Sequence, residues 1–376
     1  MKTYRVACLP GDGIGPEVVE QARKVVDALG GGHGFKVMWL PYPFGAGHYE
    51  KTNEILPDSV LPELEQCDAM LLGAVGSPSV RPGLLERGIL LKLRFHFDQY
   101  INLRPARSFR GVSTPVPLPE GRLIDSVVVR ENTEDFYMGI GAVGEGKIDV
   151  PVEVRRGLYE LKGKLRAQFS PACAGALQVG ALTRPGIERV TRYAFETAKK
   201  RGEKEVVLAS KANAVPDLYG FLDEETRKVA ENYPGIRLRI LNVDALCYQM
   251  VRAPADWGTI LCPNLFGDIV SDLQSALIGG LGLGAGGNIG DRLSMFEPIH
   301  GSAPDIAGTG KANPVAAILS AALLLDHVGE SKAAGEINDA VADYLMSATR
   351  REKPVELGGE ALCAEVGDSI AANAVR

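Results

Sequence analysis

Residues 264–272 read NLFGDIVSD, and the spacing of their two aspartates is the first question this chain poses. Just before them, residues 257–262 (WGTILC) form an apolar run of strand length, closed by Pro263. A helix that begins near Gly267 places Asp268 and Asp272 one turn apart on the same face. Like charges so placed repel by roughly a few tenths of a kcal/mol. A divalent cation removes that repulsion, and hard carboxylate oxygens suit Mg²⁺ or Mn²⁺. Asp244, closing the strand-like run ILNVD, offers a third carboxylate. The plainer alternative, two solvated aspartates on a helix surface, fits poorly with the apolar company of Leu265, Phe266, Ile269 and Val270.

Working outward, the whole chain has 376 residues, more than one ordinary core accommodates, so about two domains are expected. Its net charge is −6 and it has no block of basic residues, which argues against nucleic acid as a partner. Small anionic substrates need only a local group of arginines and remain compatible. The six cysteines are scattered without a C-x-x-C pair, so a disulfide framework or zinc site is not expected and a reducing, cytoplasmic setting is. The apolar start is too short for a signal peptide, and the run 316–325 is about half a membrane span.

Residues 4–9 (YRVACL), 35–40 and 69–72 read as strands, with a proline-initiated helix over 16–29. Strands are also expected at 124–130, 205–208, 236–241 and 259–262, and helices over 186–201 and 312–327. After Phe266 the chain reads as mostly helical. This alternation implies layered α/β architecture. Residues 139–171 stand apart: a glycine-rich start, the alternation VPVEV at 150–154 and a basic patch of Lys162, Lys164 and Arg166 suggest a hairpin arm or a loop.

The loop LPGDGIGPEV carries Gly11, Gly13 and Gly15 between a strand and a helix, where a dinucleotide fingerprint sits. The spacing is G-x-G-x-G and no acidic residue closes a second strand at the right distance, so a plain Rossmann fold is disfavoured. Arg94, Arg104 and Arg130 lie at element ends. Each alone reads as a surface ion-pair partner; together they can clamp carboxylates through paired hydrogen bonds. Tyr137 can donate a proton and Lys211, at a strand end, can act as a base, although in isolation either residue is more often a packing or surface group.

Taken together, the segments GDGIGPE (11–17), NLFGDIVSDL (264–273), FEPIHGSAPDIAG (296–308) and ANP (312–314) resemble the NAD(P)-dependent β-decarboxylating dehydrogenases, in family order along nearly the whole chain. That resemblance implies the isopropylmalate/isocitrate dehydrogenase-like α/β fold: two α/β domains, sharing a large mixed sheet, that are not of the Rossmann type. Residues 1–105 plus 265–376 would form the large cofactor-binding domain. Residues 106–264 would form a smaller one, with a dimer-clasping arm at about 139–175. It further implies a homodimer with shared active sites. Asp268 and Asp272 match metal ligands, with Asp244 supplied by the other subunit. Arg94, Arg104 and Arg130 match substrate-gripping arginines, and Tyr137 and the partner-supplied Lys211 match the proton donor and base. Ile14, Ala74, Asn288, His300, Gly301, Ser302, Ala303, Asp305 and Asn313 match the cofactor surround. Asp305 stands where NAD enzymes of the family place an acid against the ribose hydroxyls, so NAD is expected over NADP.

Leu90 and Leu91, just before Arg94, form an apolar wall suited to an alkyl substituent. The resemblance therefore implies a 3-substituted malate as small-molecule substrate, 3-isopropylmalate foremost and tartrate or D-malate next. A non-catalytic subunit of the same fold is the alternative of a different class. Three features depart from the isopropylmalate pattern: ENTEDFY (131–137), Ala214 where a valine is common, and the unfamiliar segment EVRRGLYELKGKLRAQF (153–169).

Overall fold

A computed structural model describes residues 1–375. Its strands are β1 (Lys2–Gly11), β2 (Phe35–Pro41), β3 (Ala69–Ala74), β4 (Ile101–Arg107), β5 (Asp125–Glu131), β6 (Asp135–Glu145) and β7 (Lys147–Arg155). They continue with β8 (Glu160–Gln168), β9 (Ala174–Ala181), β10 (Glu205–Ser210), β11 (Arg237–Asn242), β12 (Thr259–Cys262), β13 (Ala285–Ile289) and β14 (Met295–Pro298). Ten of them make one sheet in the order β11-β10-β12-β5-β4-β13-β14-β3-β1-β2. Its two wings are parallel, while β13 and β4 run antiparallel to their neighbours in the middle. A large mixed α/β sheet is thus what the resemblance implied.

Helix Gly15–His33 packs against Val315–His327 and Cys363–Ala374, joining both ends of the chain on one wing. Val315–His327 is buried nearly all round, which explains why its sequence reads as a continuous apolar run. On the other wing, Arg184–Lys200 buries one stripe (Ile187, Val190, Ala194, Ala198), and Thr183 caps its start by accepting from the Gly186 N–H.

The chain after Phe266 is less helical than its sequence suggests. Strands β13 and β14 lie there, and the glycine-rich run 279–287 leads into β13. Short strands with so many glycines carry almost no alternating pattern, so the period-two signal is missing. Asp244 likewise lies in the first turn of helix Val243–Arg252 and not at a strand end, because β11 stops at Asn242. The excursion is a β-arm of four strands, β6 paired with β9 and β7 with β8. It spans 135–181, beyond the expected limits, and has its own small core of Met138, Ile140, Ile148, Val150, Val152 and Val154.

The Gly11–Gly15 loop is a packing device. A Cβ on Gly11 would sit 1.9 Å from the Ala74 carbonyl oxygen, and one on Gly13 1.9 Å from that of Ser302. The Ile14 N–H donates to the same Ser302 oxygen at 2.9 Å. Glycines here therefore draw three loops together, which is why the phosphate-cradle spacing fits badly. Gly13 and Gly34 share a positive φ, 59° and 73°, but nothing lies near Gly34. Gly34→Ala should cost about 1 kcal/mol for its left-handed backbone. Gly13→Ala should cost about 2 kcal/mol more, read from denaturant midpoints. Equal losses would mean that the Ser302 contact does not hold these loops.

Candidate active site

The end of β12 and the helix after it build the site. Helix Asn264–Ile278 starts three residues earlier than Gly267, immediately after Pro263. Gly267 lies inside it for a steric reason: a Cβ there would be 2.4 Å from Cγ of Arg130. The glycine thus lets the helix lie directly on the arginine stem, and Asp268 and Asp272 still follow at one-turn spacing.

Arg104 and Arg130 come from adjacent strands. Arg104 pairs with Val128 and Asn102 with Arg130, so both arginines share one face as diagonal neighbours. Arg130, only 1% exposed, pairs with Asp268, and its Nε and Nη2 both donate to Asn264 Oδ1 at 3.0 and 2.8 Å. Arg104 Nη1 donates to Ser271 Oγ at 2.7 Å and its Nε to Asn102 Oδ1 at 2.8 Å. Its guanidinium also lies 3.5 Å from Asp268 and 3.6 Å from Asp272. Arg94 arrives from helix Lys92–His96 and pairs with Glu297 at 3.0 Å. Tyr137 donates to Asp268 Oδ2 at 2.7 Å, with the Arg130 guanidinium 5.1 Å from its ring centre.

Charge sets the titration of these groups. Burial pushes the Asp268 carboxyl up, but Arg130, the Tyr137 hydroxyl and Arg104 outweigh it and hold the group below its ordinary range. Asp272 moves the other way: burial raises it, Arg104 only partly offsets this, and Asp268 adds to it. Burial lowers Arg104 to about 10 and also lowers Arg94. Tyr137 is raised by burial and by its bond to Asp268.

Behind the arginines lies a network that the sequence did not reveal. Asn288, fully buried, accepts from Asn102 at 2.9 Å and Asn132 at 3.1 Å and donates to Glu297 at 2.7 Å. Its side chain is thus spent on the sheet, within a strand paired on both sides. Glu297, the partner of Arg94, is not singled out by the sequence, where its only signal is its position in FEPIHG.

Leu90 and Leu91 are half-buried on a π-helical turn, Glu86–Leu91, that runs into the Arg94 helix, one turn before the arginine. Ile14, Ala74 and Ser302 meet at the glycine loop. His300 is half-buried, its Nδ1 engaged with the Gly301 carbonyl at 2.9 Å, and burial lowers its pKa. Ala303 has φ 39°, while Gly301 and Asp305 are exposed. Asn313 donates to Glu356 at 2.9 Å. Lys211 and Asp244 lie elsewhere: they pair with each other at 2.6 Å, Asp244 well exposed. Among the described residues, no three acidic, histidine or cysteine side chains form one metal-sized group. One chain thus brings two of the three expected carboxylates together.

The profile of the isocitrate/isopropylmalate dehydrogenase family matches residues 5–370. The chain belongs to this family. It is 43% identical over 374 residues to a 3-isopropylmalate dehydrogenase of Thermobifida fusca, covering 98% of this chain and 97% of that one. It is 44% identical over 372 residues to one of Mycobacterium tuberculosis, covering 98% and 99%. Among solved structures, an isocitrate dehydrogenase from Methylococcus capsulatus superposes with a TM-score of 0.83 at 34% identity, covering 99% of this chain and 100% of that one. A beta-decarboxylating dehydrogenase from Thermococcus kodakarensis gives 0.74 at 35% identity, covering 99% and 96%. The family membership makes the chain a dehydrogenase.

Directly after Arg130, the segment ENTED is buried throughout. Glu131 accepts from the Thr133 N–H and hydroxyl and the Glu134 N–H, each at 2.8 Å. Burial, with the Glu134 carboxylate beside it, pushes the Glu131 carboxyl up to about 7. The folded protein therefore keeps a proton that an unfolded glutamate has released, so this contribution favours folding below the ordinary glutamate pKa. It is lost as pH rises towards 7. Between about pH 4.5 and about pH 7, wild-type stability should decline relative to that of Glu131→Gln. Parallel stability profiles would show that Glu131 titrates normally.

Proposed function

We propose that the chain catalyses the NAD-dependent oxidative decarboxylation of a 3-substituted (2R)-malate, with 3-isopropylmalate as substrate and 2-oxo-4-methylpentanoate and CO₂ as products. That activity is a step of leucine biosynthesis, and a cytoplasmic setting is in keeping with six unpaired cysteines. The observation that carries the reading is the pair of buried arginines, Arg104 and Arg130, facing Asp268, Asp272 and Tyr137, with buried Arg94 one turn beyond the apolar Leu90 and Leu91.

The donor set fits a divalent cation. Asp268 and Asp272 present carboxylate oxygens from one helix face, the chemistry that Mg²⁺ and Mn²⁺ prefer. Asp244 of a second copy would complete it, and Lys211 would enter with Asp244 because the two are already paired. Exposed Tyr248, Val251 and Ile269, on the helices that carry Asp244 and Asp268, supply apolar surface for such a homodimer. The division into a large domain (1–105 plus 265–376) and a small one (106–264) belongs to the same reading. Asp305, exposed beside the loop of His300 to Ala303, favours a ribose hydroxyl over a 2′-phosphate and hence NAD.

In this site Arg94, Arg104 and Arg130 grip the two carboxylates of the malate and fix its orientation. Leu90 and Leu91 receive the alkyl substituent, worth roughly 0.8 kcal/mol per buried CH₂. Lys211 takes the proton of the 2-hydroxyl. A cation held by Asp268 and Asp272 would supply Lewis acidity, and NAD, when bound, would supply the hydride acceptor. After CO₂ leaves, Tyr137 delivers a proton to C3, and its raised pKa keeps it protonated until then.

The test is NADH formation with Mg²⁺ or Mn²⁺, comparing kcat/KM for 3-isopropylmalate, D-malate, tartrate, isocitrate and homoisocitrate. The largest value is expected for 3-isopropylmalate; a win for D-malate or tartrate would make the leucine turn a mere closure of the pocket. Removing the cation with EDTA should abolish turnover, and restoring Mg²⁺ should bring it back. Tyr137→Phe should lower kcat by about 10²-fold with little change in KM. An unchanged kcat would take the proton-donor role from Tyr137.

A further inference from the structure

Where β7 ends and turns into β8, at the base of the arm beside the start of β6, two consecutive arginines lie outside the cluster around Asp268. Arg155 is exposed, whereas Arg156 turns inward. Its guanidinium lies over the ring of Phe95, 3.9 Å from the ring centre. Its Nε donates to the Thr133 carbonyl at 3.0 Å and its Nη1 to the Arg155 carbonyl at 3.0 Å. The backbone N–H of Arg156 donates to Tyr159 at 2.9 Å and closes the turn.

Gly157 brings the turn still closer. A Cβ on it would be 2.6 Å from Asp98 Oδ2. That carboxylate is held in place: Arg189 grips both of its oxygens, at 2.6 and 3.0 Å, and also reaches Thr133 Oγ1 at 3.2 Å. β7 is anchored behind the turn, because Val150, Val152 and Val154 are buried in the arm's own core. What the turn touches is specific. Phe95 follows Arg94 on its short helix, and Thr133 lies in the buried segment that leads from Arg130 to Tyr137.

We infer that Arg156 is a positioning residue for the reaction: from the arm, it clamps Phe95 and the Thr133 carbonyl and thereby fixes Arg94 and Tyr137 relative to each other. The inference rests on the proposed roles of Arg94 and Tyr137. A planar guanidinium suits the task, since one face stacks on the ring while an edge N–H reaches the carbonyl. Burial lowers the pKa of Arg156, in keeping with a side chain removed from solvent.

The test is steady-state kinetics of the full-length enzyme with 3-isopropylmalate. Arg156→Ala should raise KM for the malate about tenfold while leaving KM for NAD unchanged. Arg156→Lys, which can reach the carbonyl but cannot stack, should fall between. Gly157→Ala should reproduce the malate effect by pushing the turn off Asp98, even if Arg156→Ala folds poorly. In a Phe95→Leu background, Arg156→Ala should add little, because the shared contact is already gone. Unmoved malate KM values, or malate and NAD constants that shift together, would overturn the inference. A wild-type enzyme inert towards every malate would overturn the parent reading and this one with it. An active wild type with unmoved variants would overturn this inference alone.

Discussion

Three guanidinium groups buried on one face of a sheet are the constraint on which the rest of this structure depends. An isolated charge taken out of water costs several kcal/mol even after relaxation. Arg94, Arg104 and Arg130 therefore require counter-charges and acceptors in place before any substrate arrives. Asp268 serves Arg130 and faces Arg104, Glu297 serves Arg94, and Asn264, Asn102 and Ser271 accept further bonds from Arg130 and Arg104, while the Nε of Arg94 is left without a protein partner. The row Asn288, Asn102, Arg130 crosses three strands in register and ties this polar layer to the middle of the sheet. Gly267 then has one function, to let the aspartate-bearing helix lie against Arg130.

Such an arrangement is strongly cationic where carboxylates are to be gripped and carboxylate-rich one helix turn away. The opposed shifts of Asp268 and Asp272 follow from that geometry: the first sits between two arginines and a tyrosine, the second at the edge of their reach. The same low-dielectric surroundings strengthen hydrogen bonds to a bound anion.

Legibility in the sequence followed the range of the interactions. Asp268 and Asp272 are linked by helical period, so local pattern sufficed to pair them. Arg94, Arg104 and Arg130 needed the resemblance, because a strand-end or helix arginine alone reads as a surface ion-pair partner. The Asn102–Asn288–Glu297 network depends on β13 and β14 inserting between β3 and β4, a long-range pairing with no sequence period. The arm was visible as an anomaly, but its docking through Arg156 and Gly157 was not, since cation–ring stacking has no spacing rule. Asp244 was read one element too early because a strand runs into a helix there without a turn.

Lys211 and Asp244 pair with each other on the surface while the arginines and the other aspartates meet within the sheet. The proposed composite site across two subunits would account for that separation, and co-expression of two inactive variants, Lys211→Ala and Asp268→Asn, tests it most directly. In a mixed dimer one site inherits Lys211 from one subunit and Asp268 from the other, so the account predicts recovery of about a quarter of wild-type activity. Activity no higher than that of either variant alone would contradict the account and place the whole site within one chain.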